Sequence, residues 1–334
     1  MATRVGLVIL DGILDSVFGV SVDVLAVANR LAVARGGSAV FDVRLVAASR
    51  TVASGTGRRI AADLTFRSSA AFDVVLVPGF NAPLREELEA ALVRADVVAA
   101  RRFLVRQATR GALLCASCAG TFVLAETGLL DGGVATTSWW LAPLFRARYP
   151  RVDLREDAVV SPTGGRVVTA GAALSQIDLM LWLVRRFAGA EVAALCARTL
   201  VLDERPSQAR YALVDHLAHD SEEVRRAERF VRRNLQRSLT IGEIARAAHV
   251  SARTLARRTR DCVGLSPLGL LQRLRVERAA HLLGTTALAF DEIARRVGYE
   301  DPGALRGLLR RELGVTARAL RPGRIRSAGA AGRR

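Results

Sequence analysis

Two cysteines stand three positions apart in the run Ala112-Leu113-Leu114-Cys115-Ala116-Ser117-Cys118-Ala119-Gly120-Thr121. Apolar residues passing through small ones into a helical stretch predict a strand that turns at once into a helix, leaving one side chain at a tight elbow. A thiol placed there is a candidate nucleophile, because a helix start lowers a thiol pKa and offers backbone N–H groups to an anion. The Cys-x-x-Cys spacing also admits a redox pair, and a cysteine inside the strand admits the plainer role of a small buried hydrophobe. A nucleophilic cysteine needs a base within hydrogen-bond reach. The four histidines, His216, His219, His249 and His281, all lie beyond residue 205, so residues 1–205 cannot assemble a Cys–His dyad. Cys196 and Cys262, within helical patterns, read as core. No metal-ligand spacing and no phosphate-binding glycine loop occurs, so neither a metal nor a cofactor is expected.

A second chemistry lies toward the other end. Glu222–Gln236 has the pattern of an amphipathic helix, and Thr240-Ile241-Gly242-Glu243 follows with the spacing of a capping box. His249-Val250 makes a turn, and Ser251 opens a helix over Ser251–Asp261 that points Leu255 inward and Arg253, Ala256, Arg257 and Arg260 outward. Ser266-Pro267 then starts a long helix, Leu268–Leu283, expected to stop at Gly284. After it the first arrangement recurs: Phe290-Asp291-Glu292-Ile293-Ala294, then Val297-Gly298-Tyr299-Glu300-Asp301-Pro302, then a helix bearing Arg306, Arg310 and Arg311. Two helix-turn-helix units in order, each basic on its outer side, are suited to DNA, where a guanidinium fork pairs with guanine edges or phosphates.

The elements that must position these groups fall into two classes. Residues 1–205 alternate β-branched runs (Val5–Leu10, Phe41–Ala47, Val74–Val77, Leu113–Cys115) with helical patterns (Val20–Ala34, Ala95–Arg110, Ala119–Thr127). Shorter strands (Val134–Thr136, Val159–Ser161, Val167–Thr169) and an apolar helix (Ala173–Phe187) follow. Such alternation predicts an α/β domain, a flavodoxin-like, doubly wound and mostly parallel sheet. Beyond Arg205-Pro206-Ser207 only helical periodicity remains, broken at Gly264, Gly284 and Gly298. The expected division is an α/β domain over 1–206, a linker over 207–221, an all-α domain over 222–325 and a disordered tail over 326–334. The formal charge of +17 comes from 49 arginines, with no lysine. It is uneven: residues 1–205 hold 23 arginines against 19 acids, residues 206–334 hold 26 against 13. The excess sits where phosphate would be met. The longest uncharged stretch, Gly111–Ala125, is too short to span a bilayer, and the first residues read as a strand rather than a secretory signal. A cytoplasmic protein with no membrane segment is expected, and four cysteines make no disulfide framework.

Both halves resemble known families. The runs LTIGEIARAAHVSARTLARRTRDCVGLSP, LLQRLRVERAAHLLGTT and DEIARRVGYEDPGALRGLLRRELGV resemble the AraC/XylS DNA-binding domain. By that resemblance the two recognition helices enter successive major-groove segments of double-stranded DNA. Arg253, Thr254, Ala256, Arg257, Arg260, Arg306 and Arg310 are the contact candidates. Gly307 stands where the family usually has a base-reading arginine. Leu305, Leu309 and Thr259 stand where phenylalanines usually pack, which implies looser recognition helices. The elbow, with Val77-Pro78-Gly79, Val168-Thr169-Ala170-Gly171 and the stretch Leu124–Gly132, resembles the PfpI-like branch of the class I glutamine amidotransferase-like superfamily. Cys118 matches its nucleophile position and Asp15 an acidic position that some of its enzymes use, although Asp15 could equally cap a helix. Ser138 stands where relatives often have histidine, so the domain is expected to be non-catalytic. Asp15, Gly79, Cys118, Ala119, Ser138 and Trp139 are the candidate ligand-binding residues, with Trp139 and Trp140 open also to a packing role. The expectation is a DNA-binding transcriptional regulator, a homodimer, whose first domain takes a small-molecule effector or serves assembly. The alternative is a cysteine-dependent hydrolase or hydratase.

Overall fold

The β-branched runs form strands and the interleaved patterns form helices. The computed structural model describes residues 1–163, 166–205, 207–211 and 221–321, and contacts divide them into two units, one up to residue 211 and one from residue 221. The strands are β1 (Thr3–Ile9), β2 (Phe41–Ala47), β3 (Thr51–Ala53), β4 (Arg59–Ala61), β5 (Leu64–Thr65), β6 (Val74–Val77), β7 (Leu113–Ser117), β8 (Val134–Ala135), β9 (Asp153–Leu154), β10 (Val160–Thr163) and β11 (Val167–Ala170). Seven make one sheet in the order β10-β11-β7-β6-β1-β2-β5, parallel throughout except for the antiparallel edge pair β10–β11. The pairs β3–β4 and β8–β9 are small separate ribbons.

Helices cover both faces: α1 (Asp15–Ala34), α2 (Arg85–Leu92), α3 (Ala95–Thr109), α4 (Gly120–Ala125), α5 (Ala142–Arg148), α6 (Ser175–Ala188) and α7 (Ala190–Leu200). Strand alternation splits the core. From β7, Leu114 and Ala116 pack on the face of α3 and α4, whereas Leu113 and Cys115 pack with α1, α6 and α7. By length and composition α1 could cross a membrane. Here it is a core helix, with Val17, Val24, Leu25 and Ala28 buried. It is also tied in by buried hydrogen bonds: Ser117 Oγ donates to Gln176 Oε1 (2.6 Å), Gln176 Nε2 to Ser21 Oγ (2.9 Å), and Ser21 Oγ to Val17 O (2.7 Å). α1 begins at Asp15, earlier than its apolar pattern indicated, and neither α2 nor α7, nor the short strands β3, β4, β5 and β9, were foreseen.

The second unit comprises α8 (Glu222–Arg233), α9 (Ile241–Ala247), α10 (Ala252–Val263), α11 (Pro267–Thr285), α12 (Phe290–Arg296) and α13 (Pro302–Leu313). Three of its helix starts are capped as the sequence indicated, at Thr240, Ser251 and Ser266, and Asp301 adds a cap that was not foreseen. Thr240 and Glu243 exchange bonds in a capping box, and Ser251, Ser266 and Asp301 accept from the amides of Thr254, Gly269 and Gly303, each cap contributing about 1 kcal/mol. Two helix ends differ from expectation. α8 ends at Arg233 rather than Gln236, where Asn234 leaves helical geometry. Gly284 does not end α11, which continues to Thr285. At the positions where phenylalanines usually pack, Leu305, Leu309 and Thr259 are fully buried, and the Thr259 hydroxyl donates to Leu255 O at 3.0 Å. Arg275 of α11 braces the two helix-turn-helix units, donating to Arg237 O (2.6 Å) while lying over the Tyr299 ring (5.2 Å).

The expected tail over 326–334, Pro206 and most of the expected linker lie outside the described residues. The start of that linker is not free, because Gln208 is buried in the first unit.

Candidate functional site

In the first unit the candidate residues gather at the carboxyl edge of the parallel strands, where open α/β sheets form their crevices. β7 ends at Ser117, and Cys118 follows with φ +53°, a left-handed conformation that side chains seldom adopt. The turn is over-determined. Cys118 N donates to Gly171 O (2.9 Å), Thr137 Oγ1 donates to Cys118 O (2.8 Å), and Ser138 Oγ donates to Cys118 Sγ (2.9 Å). Two glycines let the strands close on it. A Cβ on Gly79 would lie 2.8 Å from Cys118 Cβ, and one on Gly120 would lie 2.1 Å from Val77 O. Gly79, Cys118, Ala119 and Ser138 are all buried, and Trp139 at their rim is half-buried, edge-on to Trp140. Burial pushes the Cys118 thiol up from its ordinary value, against the smaller opposing effects of Ser138 and the Ala119 amide. Cys115 is buried in β7 and burial pushes its thiol up as well, as befits a core residue.

Asp15 is neither the helix cap nor, among the described residues, a partner of Cys118. It is the first residue of α1, with Leu14 at the cap position, and its carboxylate accepts from Thr56 N (3.3 Å) and Thr56 Oγ1 (3.0 Å). Hydrogen bonding, chiefly to Ser54, holds it below the usual carboxylate range. Among the described residues no cluster of His, Cys, Asp and Glu could hold a metal.

One residue at this site escaped sequence reasoning. Gln208 is 2% exposed, and its Nε2 lies 2.9 Å from both Thr137 O and Glu156 O, while its Oε1 accepts from Ala172 N at 3.0 Å. A polar residue just after a proline carries the sequence signal of a linker, and nothing local marks it as buried.

In the second unit, Arg253, Ala256, Arg257 and Arg260 are exposed along one side of α10, and the three arginines pair with no carboxylate among the described residues. Thr254 is half-buried, and its hydroxyl lies 2.9 Å from Ser251 Oγ at the helix start. On α13, Gly303, Arg306, Gly307 and Arg310 are exposed. Arg306 is drawn back toward α12, over the Phe290 ring (4.8 Å) and 4.0 Å from Asp291. Leu305, Leu308, Leu309 and Leu313 form the buried side of this helix.

These features define a class: an α/β domain with a buried cysteine elbow, joined to a helical module with two helix-turn-helix units. A model of the DJ-1/PfpI family matches residues 3–186, and a helix-turn-helix domain model matches residues 244–322. The transcriptional regulator GbdR of Pseudomonas aeruginosa is 26% identical over 277 residues, covering 82% of this chain and 72% of the relative. The transcriptional regulator GlxA of Rhizobium meliloti is 25% identical over 230 residues, 68% of this chain and 70% of the relative. A structure of a candidate transcriptional regulator from Vibrio parahaemolyticus shares the fold at 20% identity, with TM-score 0.51 over 60% of this chain and all of that one. The chain belongs to the DJ-1/PfpI family through its first unit and, with its AraC-type helix-turn-helix domain, is a transcriptional regulator of the AraC family.

Proposed function

We propose that the protein regulates transcription from the cytoplasm as a homodimer. α10 reads base sequence in double-stranded DNA, and the DJ-1/PfpI-type unit acts as a non-catalytic regulatory domain responsive to a small-molecule effector. The observation that carries the non-catalytic reading is the partner of Cys118 Sγ, a serine hydroxyl that donates to it. A hydroxyl in that role takes no proton from the thiol, and burial keeps the thiol protonated. The elbow is therefore a rigid, strained turn whose neighbours can respond to what presses on it. Buried Thr121 Oγ1, on the helix that follows, has no hydrogen-bond partner among the described residues, a polar group that an effector could satisfy.

The test uses the full chain. Turnover of amide, glutamine or isonitrile substrates is expected to be undetectable, and turnover abolished by Cys118→Ser would overthrow the proposal. Affinity for duplexes selected from a random pool, measured across a metabolite panel, is expected to shift with at least one compound. A second reading is favoured by one observation: Gly79, Cys118, Ala119 and Ser138 are closed off from solvent. In that reading the first unit serves assembly alone. No panel compound then shifts DNA affinity, while truncation of the unit abolishes dimer formation.

A further inference from the structure

The chain leaves the first unit by a route that is stitched to the elbow's own neighbours. On one side of Pro206, Arg205 N donates to Asp178 Oδ1 (2.9 Å), and its guanidinium pairs with the same buried carboxylate on α6. On the other side, Ser207 Oγ and Gln208 N both donate to Asp157 O at 2.9 Å. The Gln208 side chain then passes inward. Its amide has two protons and four acceptors in reach: Thr137 O and Glu156 O at 2.9 Å, Thr136 Oγ1 and Ala158 O at 3.2 Å. Its carbonyl takes the Ala172 amide at 3.0 Å. Gly171 forms the socket, since a Cβ there would stand 2.4 Å from Gln208 Oε1.

Two anchors of Gln208, Thr137 and Ala172, adjoin or coincide with anchors of Cys118. Thr137 gives its carbonyl to Gln208 and its hydroxyl to Cys118 O. Ser138, next in the chain, donates to Cys118 Sγ. Gly171, whose carbonyl receives Cys118 N, immediately precedes Ala172, whose amide donates to Gln208. A displacement of Cys118 pulls on Thr137 and Gly171, and Thr137 itself and the residue after Gly171 each hold a hydrogen bond of Gln208. Beyond Tyr211 the chain continues through residues 212–220 into the DNA-binding unit. We propose that Gln208 is the latch that transmits the state of the Cys118 elbow to this connecting segment, and through it to DNA affinity. This rests on the reading of the first unit as the regulatory part. The latch works because a buried carboxamide satisfies donors and acceptor together, so the Gln208 side chain is either fully docked or released with several buried groups unpaired. Two discrete states of this kind are what coupling between sites requires.

A double-mutant cycle on the full-length protein tests this without any effector, so its outcome is independent of whether one is found. Gly79→Ala is the wedge, pressing a methyl against Cys118. Gln208→Glu is the broken latch, nearly the same shape but with a carboxylate facing carbonyl oxygens. The readouts are hydrogen exchange of the peptide spanning residues 204–211 and affinity for duplexes selected from a random pool. The wedge alone is expected to raise exchange in that peptide and change DNA affinity by about fivefold or more, the lower range of allosteric coupling. In the Gln208→Glu background the wedge is expected to change neither further. The proposal is overturned if the wedge leaves exchange and affinity unchanged in the wild-type background, or if it shifts them equally with and without Gln208. Should either variant fail to fold, Ser138→Ala replaces the wedge by withdrawing the donor from Cys118, and Gln208→Met replaces the broken latch by removing both amide donors.

Discussion

The hydroxyl of Ser138 donates to the sulfur of Cys118 at 2.9 Å, and the backbone carbonyl of the same cysteine is held by the neighbouring Thr137. Cys118 thus sits in a turn built like a nucleophile's, with a proton donor as its side-chain partner. Alkylation of Cys118 is expected to be slower at pH 7 than that of an exposed thiol. Ser138→Ala should slow it further at every pH, because the hydroxyl is the one side chain lowering the thiol pKa. Peptide-mapped iodoacetamide rates between pH 7 and 10 check this, and faster reaction in Ser138→Ala would contradict it.

Buried thiols of the first unit, Cys196 among them, also set an alkaline limit on stability. Cys115 and Cys118 both titrate, when folded, above the ordinary thiol value of 9.0. A raised folded pKa means that their contribution is complete below about pH 9 and is lost above it, as the unfolded chain ionises while the folded one does not. The loss is about 1.4 kcal/mol per pH unit per thiol until the folded thiol itself ionises. Thermal unfolding of the full-length protein should therefore show its DJ-1/PfpI-type unit losing stability steeply between pH 9 and 10.5, with a shallower slope in Cys115→Ala. A slope unchanged by that substitution would mean other groups set the limit.

Gly120 offers a sharper steric test of the elbow. The methyl of Gly120→Ala would come within 2.1 Å of Val77 O and 2.8 Å of Pro78 O, both backbone atoms in the packed core. The expected cost is about 3 kcal/mol or more, the upper range for overpacking a core. Gly132→Ala, where a Cβ meets nothing within 4 Å but φ is +75°, should cost only about 1 kcal/mol. Chemical denaturation that ranked the two in the opposite order would refute the packing described for the elbow.

The contrast between these positions shows what was legible in the sequence. Period and composition identified the longer parallel strands, the elbow and both helix-turn-helix units, because each is encoded locally by alternation, small residues or capping spacing, but missed the two-residue edge strand β5. Asp15 looked like a helix cap or an acid for Cys118, yet Thr56 claims it, and a partner 41 positions away leaves no local trace. Gln208 was hidden for the same reason: its partners come from residues 137, 156 and 172, which only the folded sheet brings together. Gly284 misled in the opposite sense, since glycine within a helix costs about 1 kcal/mol but does not forbid it.

Arg275 should prove to be the brace of the DNA-binding unit. Its guanidinium donates to Arg237 O ahead of α9 while lying over Tyr299 ahead of α13, and Gly298 leaves the room it needs. Arg275→Lys keeps the charge but cannot both stack and donate in that geometry. The expected loss is about 2 kcal/mol of stability in this unit, with a larger loss for Arg275→Ala. Urea denaturation followed by helical circular dichroism measures it, and a lysine variant of wild-type stability would show that the brace carries no energy.

The two recognition helices should contribute unequally to sequence choice. On α10, Arg253 and Arg257 lie one turn apart on an exposed side and are engaged by no carboxylate among the described residues, so both forks are available to base edges. Replacing either by Ala is expected to cost about 1–3 kcal/mol on the selected DNA and to relax preference at one base position. On α13 the corresponding side presents Gly303 and Gly307, which have no side chain to donate a hydrogen bond. Its Arg306 is held back over Phe290, near Asp291, a posture suited to meeting a phosphate beside the groove. Replacing Arg306 or Arg310 by Ala should therefore weaken binding to all sequences alike and reduce the slope of affinity against salt by about one counterion each. Selection from a random duplex pool decides the matter: one half-site should emerge sharp and the other diffuse. Two equally sharp half-sites, or a base preference that changes with Arg306, would place sequence readout on α13 as well.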